Sequence, residues 1–305
     1  MQIIADTTEF YLNRDTAVAI GKFDGIHMGH RRLLEELLLQ KKKGLLTCVF
    51  TFEPSPAVFF GLGDGKELMC REEKRMQLKR MGIDILIEFP LTERTADILP
   101  EDFVSEILVK QMKVAYIVAG TDLSFGAGGR GDASLLEQMS WENGYQLKTI
   151  DKVRQQGKEI SSTYVREQVE KGEMGLVTKL LGRPYSILGT VVHGNQIGRT
   201  LGMPTVNVLP PHNKLLPPFG VYYATVIYKG RTYRAISNVG LKPTVTQQNI
   251  PGVEAYLYDF QEEIYGEEIE IRFHEFRRAE RKFANLKELQ EQLTTDLEAG
   301  ATWKA

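Results

Sequence analysis

The chain has 305 residues, of which 42% are hydrophobic and 26% are charged, a composition typical of ordinary globular proteins and unlike that of disordered or coiled-coil chains. Its length predicts about two domains, each large enough for its own core. Thirty-eight Lys and Arg balance forty Asp and Glu, so the chain lacks the global basic field of proteins that bind nucleic acid or anionic membranes. We therefore expect neither as a partner.

The two cysteines, Cys48 and Cys70, are too few for a disulfide framework or a structural zinc site. Cys48 lies in the apolar run 45–52, where a free thiol packs as a small hydrophobic side chain. The first residues lack the basic and apolar regions of a signal peptide, and no apolar stretch approaches the roughly 20 residues needed to cross a bilayer. These features predict a cytoplasmic protein.

Short apolar runs alternate with helix-like segments in the first half of the chain. The predicted strands are 16–20, 47–52, 83–87, 115–119 and 146–150. Near-continuous apolar strands separated by amphipathic helices are typical of a parallel sheet covered on both faces. Residues 1–183 are therefore predicted to form a doubly wound α/β domain.

The pattern changes after Leu181–Tyr185, where strand-like runs follow one another without intervening helices. These runs are 187–192, 220–228, 232–239, 253–260 and 268–273. Such spacing predicts an antiparallel barrel or sandwich over residues 184–305. One helix, 286–298, is predicted near the end of the chain, with Asn285 as its N-cap.

The segment Gly21–His30 follows the first predicted strand and opens the first helix. In open α/β sheets, ligands bind at the carboxyl ends of the strands, and a helix N-terminus there favours anions. His27 and His30 are three residues apart and share one helix face, so both can donate to a phosphate group. A capping pair or part of a metal site fits the same spacing. Zinc needs a further ligand, and the other three histidines lie in the second domain.

A second glycine-rich segment, Gly194–Asn207, follows the first strand of the predicted barrel. Its regularly spaced glycines leave the backbone amides free to surround an anion, although a simple turn has the same composition. Thr205 and Asn207 are two apart, so their oxygens lie on one side of an extended chain. Such hard oxygens beside a phosphate suit Mg²⁺.

The first segment resembles the nucleotidylyltransferase superfamily, and its fuller form is similar to the adenylating domain of bacterial bifunctional riboflavin kinase/FAD synthetases. Three further blocks carry this resemblance: Thr51–Pro54, Gly120–Gly126 and Ile160–Arg166. The resemblance implies that the ATP phosphates are held by His27, His30, Ser162, Thr163 and Arg166. It also implies nucleotide-binding positions at Gly21, Phe23, Asp24, Gly29 and Asp122. Ser55 stands where that family usually has a histidine, which raises the expectation of slower or differently arranged adenylylation.

The second segment resembles the flavokinase signature of the same family. The resemblance implies that Thr205 and Asn207 hold the metal and the ATP phosphates, and that Glu254 is the catalytic carboxylate. It also implies nucleotide-binding glycines at Gly194, Gly198 and Gly202. The block Arg278–Phe283 and the helix after it are expected to border the flavin. Glu262, Glu263, Glu267 and Glu268 are interpreted as a solvated face.

Together the motifs predict an enzyme that phosphorylates riboflavin with MgATP and then transfers AMP from ATP to FMN, giving FAD and pyrophosphate. Two alternatives stay open: a kinase whose first domain is slow or uses another acceptor, and a flavin or nucleotide sensor without turnover. The expected partners are the small molecules ATP, riboflavin and FMN. The sequence does not define an oligomeric state.

Overall fold

A computed structural model describes residues 1–194, 202–243 and 249–304, and its contacts divide the chain into two compact units, Met1–Ser162 and Thr163–Ala305. The second unit begins before the predicted boundary near residue 183, because the helix Met174–Leu181 packs against strands of the barrel. The boundary near 183 therefore stays a prediction. Across the described residues, no helix is both long and apolar enough to span a membrane.

The first unit contains a six-stranded sheet in which every pair of neighbouring strands is parallel. Its strands are β1 (Gln2–Ala5), β2 (Thr16–Ile20), β3 (Leu46–Glu53), β4 (Ile85–Pro90), β5 (Val114–Gly120) and β6 (Gln146–Ile150), arranged in the order β1-β4-β3-β2-β5-β6. The doubly wound parallel sheet predicted from the sequence is confirmed. The edge strand β1 was not predicted, because four residues are too short a run to show a pattern.

Helices cover both faces of this sheet. They are α1 (Met28–Leu39), α2 (Pro56–Phe59), α3 (Arg71–Met81), α4 (Glu93–Ala96), α5 (Pro100–Asp102, continuing as a π-helix over Phe103–Gln111) and α6 (Ala133–Asn143). Strand β2 is buried along its whole length: Val18 and Ile20 face one apolar cluster, while Ala17 and Ala19 face the other. Burial on both faces explains why the strand reads as a continuous apolar run.

A short hairpin follows β6, formed by β7 (Arg154–Gln155) and β8 (Lys158–Glu159). Helix α7 (Ser162–Glu170) comes next, and α8 (Met174–Leu181) lies in the second unit against two barrel strands. The hairpin was not predicted, since its strands have two residues each.

The second unit is a closed antiparallel barrel. Its strands are β9 (Tyr185–Val192), β10 (Val206–Val208), β11 (Gly220–Tyr228), β12 (Arg231–Pro243), β13 (Asn249–Leu257) and β14 (Glu268–Ala279), in the order β10-β13-β12-β11-β14-β9. A barrel, one of the two predicted architectures, is therefore confirmed. The three-residue strand β10, which was not predicted, pairs with both β13 and β9.

The C-terminal helix α9 (Leu286–Thr302) begins where the sequence predicts. The Asn285 side chain caps it by accepting a hydrogen bond from the Glu288 N–H at 3.0 Å. Asp296, 2% exposed, receives hydrogen bonds from Arg277 and Arg278 of β14. Because a buried carboxylate needs such partners, this cluster fixes the helix against the barrel.

Candidate active sites

The two histidines of the first motif lie where β2 passes into α1. His27 is the N-cap residue of α1, and its Nδ1 accepts a hydrogen bond from the His30 backbone N–H at 3.4 Å. The two imidazole rings stack with their centroids 3.8 Å apart, and the ring of Phe23 lies 5.1 Å from that of His30. A neutral imidazole carries one N–H, so an accepting Nδ1 leaves the proton of His27 on Nε2. His27 therefore caps the helix through Nδ1, and its Nε2–H can still donate to a phosphate, so the two interpretations are compatible.

Burial keeps both histidines neutral near pH 7. It lowers the pKa of His27 to about 4, against a smaller opposing effect of the Asp122 carboxylate. The pKa of His30 lies well below its usual value, because of burial first and then of its basic neighbours His27 and Lys74. The buried His30 Nδ1 has no hydrogen-bond partner in the described part of the chain. The pair thus offers neutral hydrogen-bond donors rather than positive charge.

Two glycines allow the backbone to pass close to these rings. A Cβ at Gly29 would lie 3.1 Å from the His27 imidazole, and one at Gly21 would lie 3.3 Å from the Phe23 ring. Either contact would push an aromatic ring from its place. These two glycines therefore allow the neighbouring aromatic rings to keep their positions. This role is separate from any direct contact with a nucleotide.

A cleft of about 310 Å³ opens at the carboxyl ends of β2, β5 and β6. Six of the residues predicted to bind nucleotide line it: Gly21, His27, Gly29, His30, Asp122 and Ser162. The sequence reasoning missed five other polar residues of its wall: Lys22, Ser124, Asp151, Lys152 and Ser161. Their signal was weak, because exposed lysines and aspartates in loops are usually solvated surface.

The remaining predicted positions have other surroundings. The Phe23 side chain is fully buried in a core cluster, where it packs rather than contacting a ligand. Asp24 organises the loop: its Oδ1 accepts from the Met69 N–H at 3.1 Å, and its carbonyl accepts from Ser162 Oγ at 2.9 Å. Thr163 and Arg166 lie on α7 within the second compact unit, and their part in phosphate binding stays a prediction. Ser55 precedes α2 and is not among the residues that line the cleft.

The barrel brings three predicted residues of its site together through strand register. On β13, Glu254 lies directly opposite Asn207 of β10 and, on its other side, opposite Asn238 of β12. Thr205 Oγ1 donates a short hydrogen bond of 2.5 Å to Glu254 Oε1. The Thr205 hydroxyl and the Asn207 amide, two residues apart on one chain segment, thus meet the distant Glu254 carboxylate at one point of the barrel wall.

Two clefts meet at Thr205, which lines both. One, of about 200 Å³, is also lined by Gly194, Asn207, Phe260 and Tyr265. The other cleft has a volume of about 240 Å³ and is lined by Glu254 and Tyr256 of β13, by residues of the block Arg278–Phe283 and by the apolar side of α9. The lining residues of the block and of α9 include Arg278, Glu280, Arg281, Phe283, Leu289, Leu293 and Leu297. Glu254 therefore lines the cleft beside the C-terminal helix and is hydrogen-bonded to Thr205, which also lines the cleft beside the glycine-rich segment.

Glycine is favoured at the two described glycine positions of the second motif for different structural reasons. A Cβ at Gly194 would lie 2.4 Å from Asn207 Nδ2, so only glycine admits the amide there. Gly202 has φ +75°, which favours glycine. Gly198 lies outside the described residues. Glu262, Glu263, Glu267 and Glu268 are exposed as predicted, although Glu262 and Glu263 also line the smaller cleft.

The oxygen donors in the barrel suit a hard divalent cation. Among the residues that the structure describes, no three His, Cys, Asp or Glu side chains group as a metal site. Thr205, Asn207 and Glu254 offer a hydroxyl, an amide and a carboxylate, which matches the few protein oxygens that Mg²⁺ takes when water and substrate phosphates supply the rest. The donor set therefore fits magnesium carried by a nucleotide.

Comparison with known proteins gives a family for each unit. A family model described as FAD synthetase matches residues 10–164, and one described as riboflavin kinase matches residues 181–303. A solved structure described as a macrolide-efflux protein from Streptococcus pneumoniae has a TM-score of 0.86 and 29% identity, covering 99% of both chains. That description differs from those of the curated relatives, and the likeness between the two chains is one of fold.

The curated relatives agree with the two family models. A bifunctional riboflavin kinase/FMN adenylyltransferase of Bacillus subtilis is 34% identical over 92% of this chain and 90% of its own. That of Escherichia coli K12 is 35% identical over the same shares, and that of Listeria monocytogenes is 34% identical over 95% and 93%. With both models matched in order and both site geometries present, the chain belongs to the bifunctional riboflavin kinase/FMN adenylyltransferase family.

Proposed function

We propose that this chain makes FMN in its barrel and FAD in its parallel-sheet unit, using ATP for both reactions. The kinase and adenylyltransferase activities are those of its family. The observation that carries the residue assignment is the hydrogen bond of 2.5 Å between Thr205 and Glu254 at the junction of two clefts. A carboxylate in that position can contact a phosphoryl acceptor bound in one cleft and the phosphate chain of ATP bound in the other.

In the barrel, the ribityl 5′-oxygen of riboflavin attacks the γ-phosphorus of ATP. The new bond joins that oxygen to phosphorus, the bond to the β-γ bridging oxygen breaks, and ADP leaves. Glu254 accepts the proton that the hydroxyl loses or orients the hydroxyl toward phosphorus. Thr205 holds the carboxylate in place by donating to Oε1. The flavin occupies the cleft that α9 borders, whose apolar wall suits an isoalloxazine ring.

Magnesium enters the proposal as part of MgATP. When bound, it neutralises negative charge on the phosphates that react. Thr205 and Asn207 are the residues proposed to hold it, and Gly194 leaves room for the Asn207 amide. The backbone amides of residues 194 and 202 lie at the two described ends of the segment that we propose surrounds the phosphates.

In the parallel-sheet unit, a phosphate oxygen of FMN attacks the α-phosphorus of ATP and pyrophosphate leaves. No proton needs to be removed from that phosphate oxygen at neutral pH, so we assign no general base. His27 and His30 donate from neutral rings to the phosphates, helped by Ser162. The contribution is positioning and charge stabilisation. The roles of Thr163 and Arg166 stay predictions from the sequence. A cytoplasmic setting completes the proposal and agrees with two buried cysteines that form no disulfide in the described part of the chain.

A time course of products tests the proposal. The full chain is incubated with riboflavin, ATP and Mg²⁺, and the flavins are separated by chromatography. FMN that rises first and then converts to FAD is the expected result. FMN that accumulates without FAD would overturn the adenylyltransferase assignment and direct attention to Ser55. Riboflavin that binds without any product would leave the sensor alternative.

A further inference from the structure

We propose that Lys152 is a binding residue of the adenylyltransferase cleft, where its ammonium holds the triphosphate of ATP and the pyrophosphate product. The inference rests on the proposed function of that cleft and names a residue that neither motif contains. It follows from the charge of the cleft wall, from the place of Lys152 in the fold and from the partners of its ammonium group.

The cleft has little positive charge to offer a polyanion. Its histidines are neutral near pH 7, because burial lowers the pKa of both. Among the residues that line it, all within the described segment 1–194, the charged ones are Lys22, Lys152, Asp122 and Asp151. These formal charges cancel. A triphosphate with several negative charges therefore depends on the lysines. A lysine whose ammonium can turn toward the triphosphate contributes more to binding than a neutral hydrogen-bond donor does.

The fold places Lys152 at the ligand-binding edge of the sheet. Strand β6 ends at Ile150, so Lys152 follows the carboxyl end of a parallel strand by two residues. The hairpin after it returns the chain: Ile160 N–H donates to the Val153 carbonyl at 2.8 Å. Lys152 and Ser162, a predicted phosphate donor, both line the same cleft.

Two carboxylates hold the ammonium group over the cleft. Lys152 Nζ lies 3.1 Å from Glu159 Oε2 and 3.5 Å from Asp122 Oδ2. The Lys152 side chain is 43% exposed, and ion pairs between exposed side chains contribute little stability. Exchange of these carboxylates for a phosphate of higher charge is therefore favourable. Arg154 also pairs with Glu159 at 3.1 Å, so Glu159 keeps a partner when Lys152 turns away.

The test compares Lys152→Met with Lys148→Met in the full chain, starting from FMN and ATP. Lys148 is exposed on β6 and does not line the cleft, which makes it a matched loss of charge. For Lys152→Met we expect the KM for ATP to rise about tenfold with a much smaller change in kcat, as for loss of one charge-assisted hydrogen bond. The KM for pyrophosphate in the reverse reaction should rise similarly. Lys152→Arg should recover most of both, and riboflavin phosphorylation should not change.

A second variant separates binding from structure. Glu159→Gln removes one competitor for the ammonium, so we expect it to lower the KM for ATP, and to do so less when Lys152 is Met. Equal KM values for the two Met variants, or a fall in kcat alone, would overturn the proposal. If the wild-type chain makes no FAD, the proposed function fails first. Calorimetric titration with inorganic pyrophosphate then still tests Lys152, because weaker binding by Lys152→Met than by Lys148→Met is required.

Discussion

The two units assemble their sites in opposite ways. In the parallel-sheet unit, the cleft collects side chains from loops after β2, β5 and β6, and each loop makes its own contribution at one edge of the sheet. In the barrel, Asn207, Glu254 and Asn238 are neighbours because three antiparallel strands place them on one rung. Loop sites can vary one segment at a time, whereas a rung site is fixed by strand register.

The two sites also differ in how they meet phosphate. Burial leaves His27 and His30 uncharged, so the first cleft relies on neutral donors and on lysines at its rim. The barrel site presents oxygens, which repel phosphate unless a cation lies between them. We therefore expect the kinase site to depend on the metal of MgATP, and the adenylyl site to depend more on protein donors. Variants that affect one activity alone are the means to test this.

The largest expected effect is that of Glu254→Gln on FMN formation. Glutamine keeps the size of the side chain and an oxygen for Thr205 but cannot accept the substrate proton, so kcat should fall by about 10³. FAD formation from FMN should continue at the wild-type rate. Both rates are measured by chromatography of the flavins. Glu268→Gln, on the exposed face of β14, is the matched control; an equal loss in that variant would contradict the role of Glu254.

The converse variant is His30→Gln in the parallel-sheet unit. Loss of a preorganised donor at a reacting phosphate typically costs about 10²-fold in rate, so FAD formation from FMN should fall by that factor. FMN formation in the barrel should not change, which also shows that the variant is folded. Parallel assays of both steps give the result. A loss shared by both activities would mean that His30 supports the fold rather than the reaction.

Sequence reasoning found most of the architecture because long apolar runs carry a clear signal. Strands β2, β6 and β11 have the predicted limits, and α9 begins at its predicted cap. The strands that escaped prediction, β1, β7, β8 and β10, have two to four residues, too few for a period of two to be distinguished from chance. The pairing of β1 and of β10 comes from tertiary contacts that one segment does not reveal.

The sites were predictable where a motif is local and not where partners meet through folding. The pair His27 and His30 could be found from their spacing, and Glu254 from its resemblance to a family block. The Thr205–Glu254 hydrogen bond depends on the pairing of β10 with β13, and the Lys152–Asp122 ion pair depends on the packing of two loops. Neither distance is encoded in a spacing along the chain.

The neutral histidines predict an acid-sensitive first unit. The pKa of His27 is about 4 in the folded chain and about 6.5 when exposed, so below pH 6.5 the unfolded chain takes up a proton that the folded chain does not. The stability that the folded chain has while His27 is neutral is fully present above pH 6.5 and is lost as the pH falls toward 4. Between pH 7 and pH 5 this loss should lower the free energy of unfolding by about 2 kcal/mol.

Urea unfolding followed by circular dichroism at both pH values measures this loss. His27→Asn is the matched variant, because asparagine can accept the same capping hydrogen bond and does not titrate. The variant should show a smaller difference between pH 7 and pH 5. If it loses as much stability as the wild type, the acid sensitivity comes from other groups and His27 is not held neutral by burial.

The smallest expected effect compares the caps of two helices. Asn285 and His27 both accept a backbone N–H at a helix start, but Asn285 serves only the fold of α9, whereas His27 also faces a cleft. Asn285→Ala should lower the free energy of unfolding of the barrel by about 1 kcal/mol, and Asn285→Asp should restore it. Urea unfolding measures both. At temperatures where the barrel stays folded, FAD formation from FMN should be unchanged in both variants, because α9 belongs to the unit that holds the kinase site. If Asn285→Ala instead loses adenylylation in proportion to its loss of stability, the distinction between a cap for stability and a cap for chemistry fails.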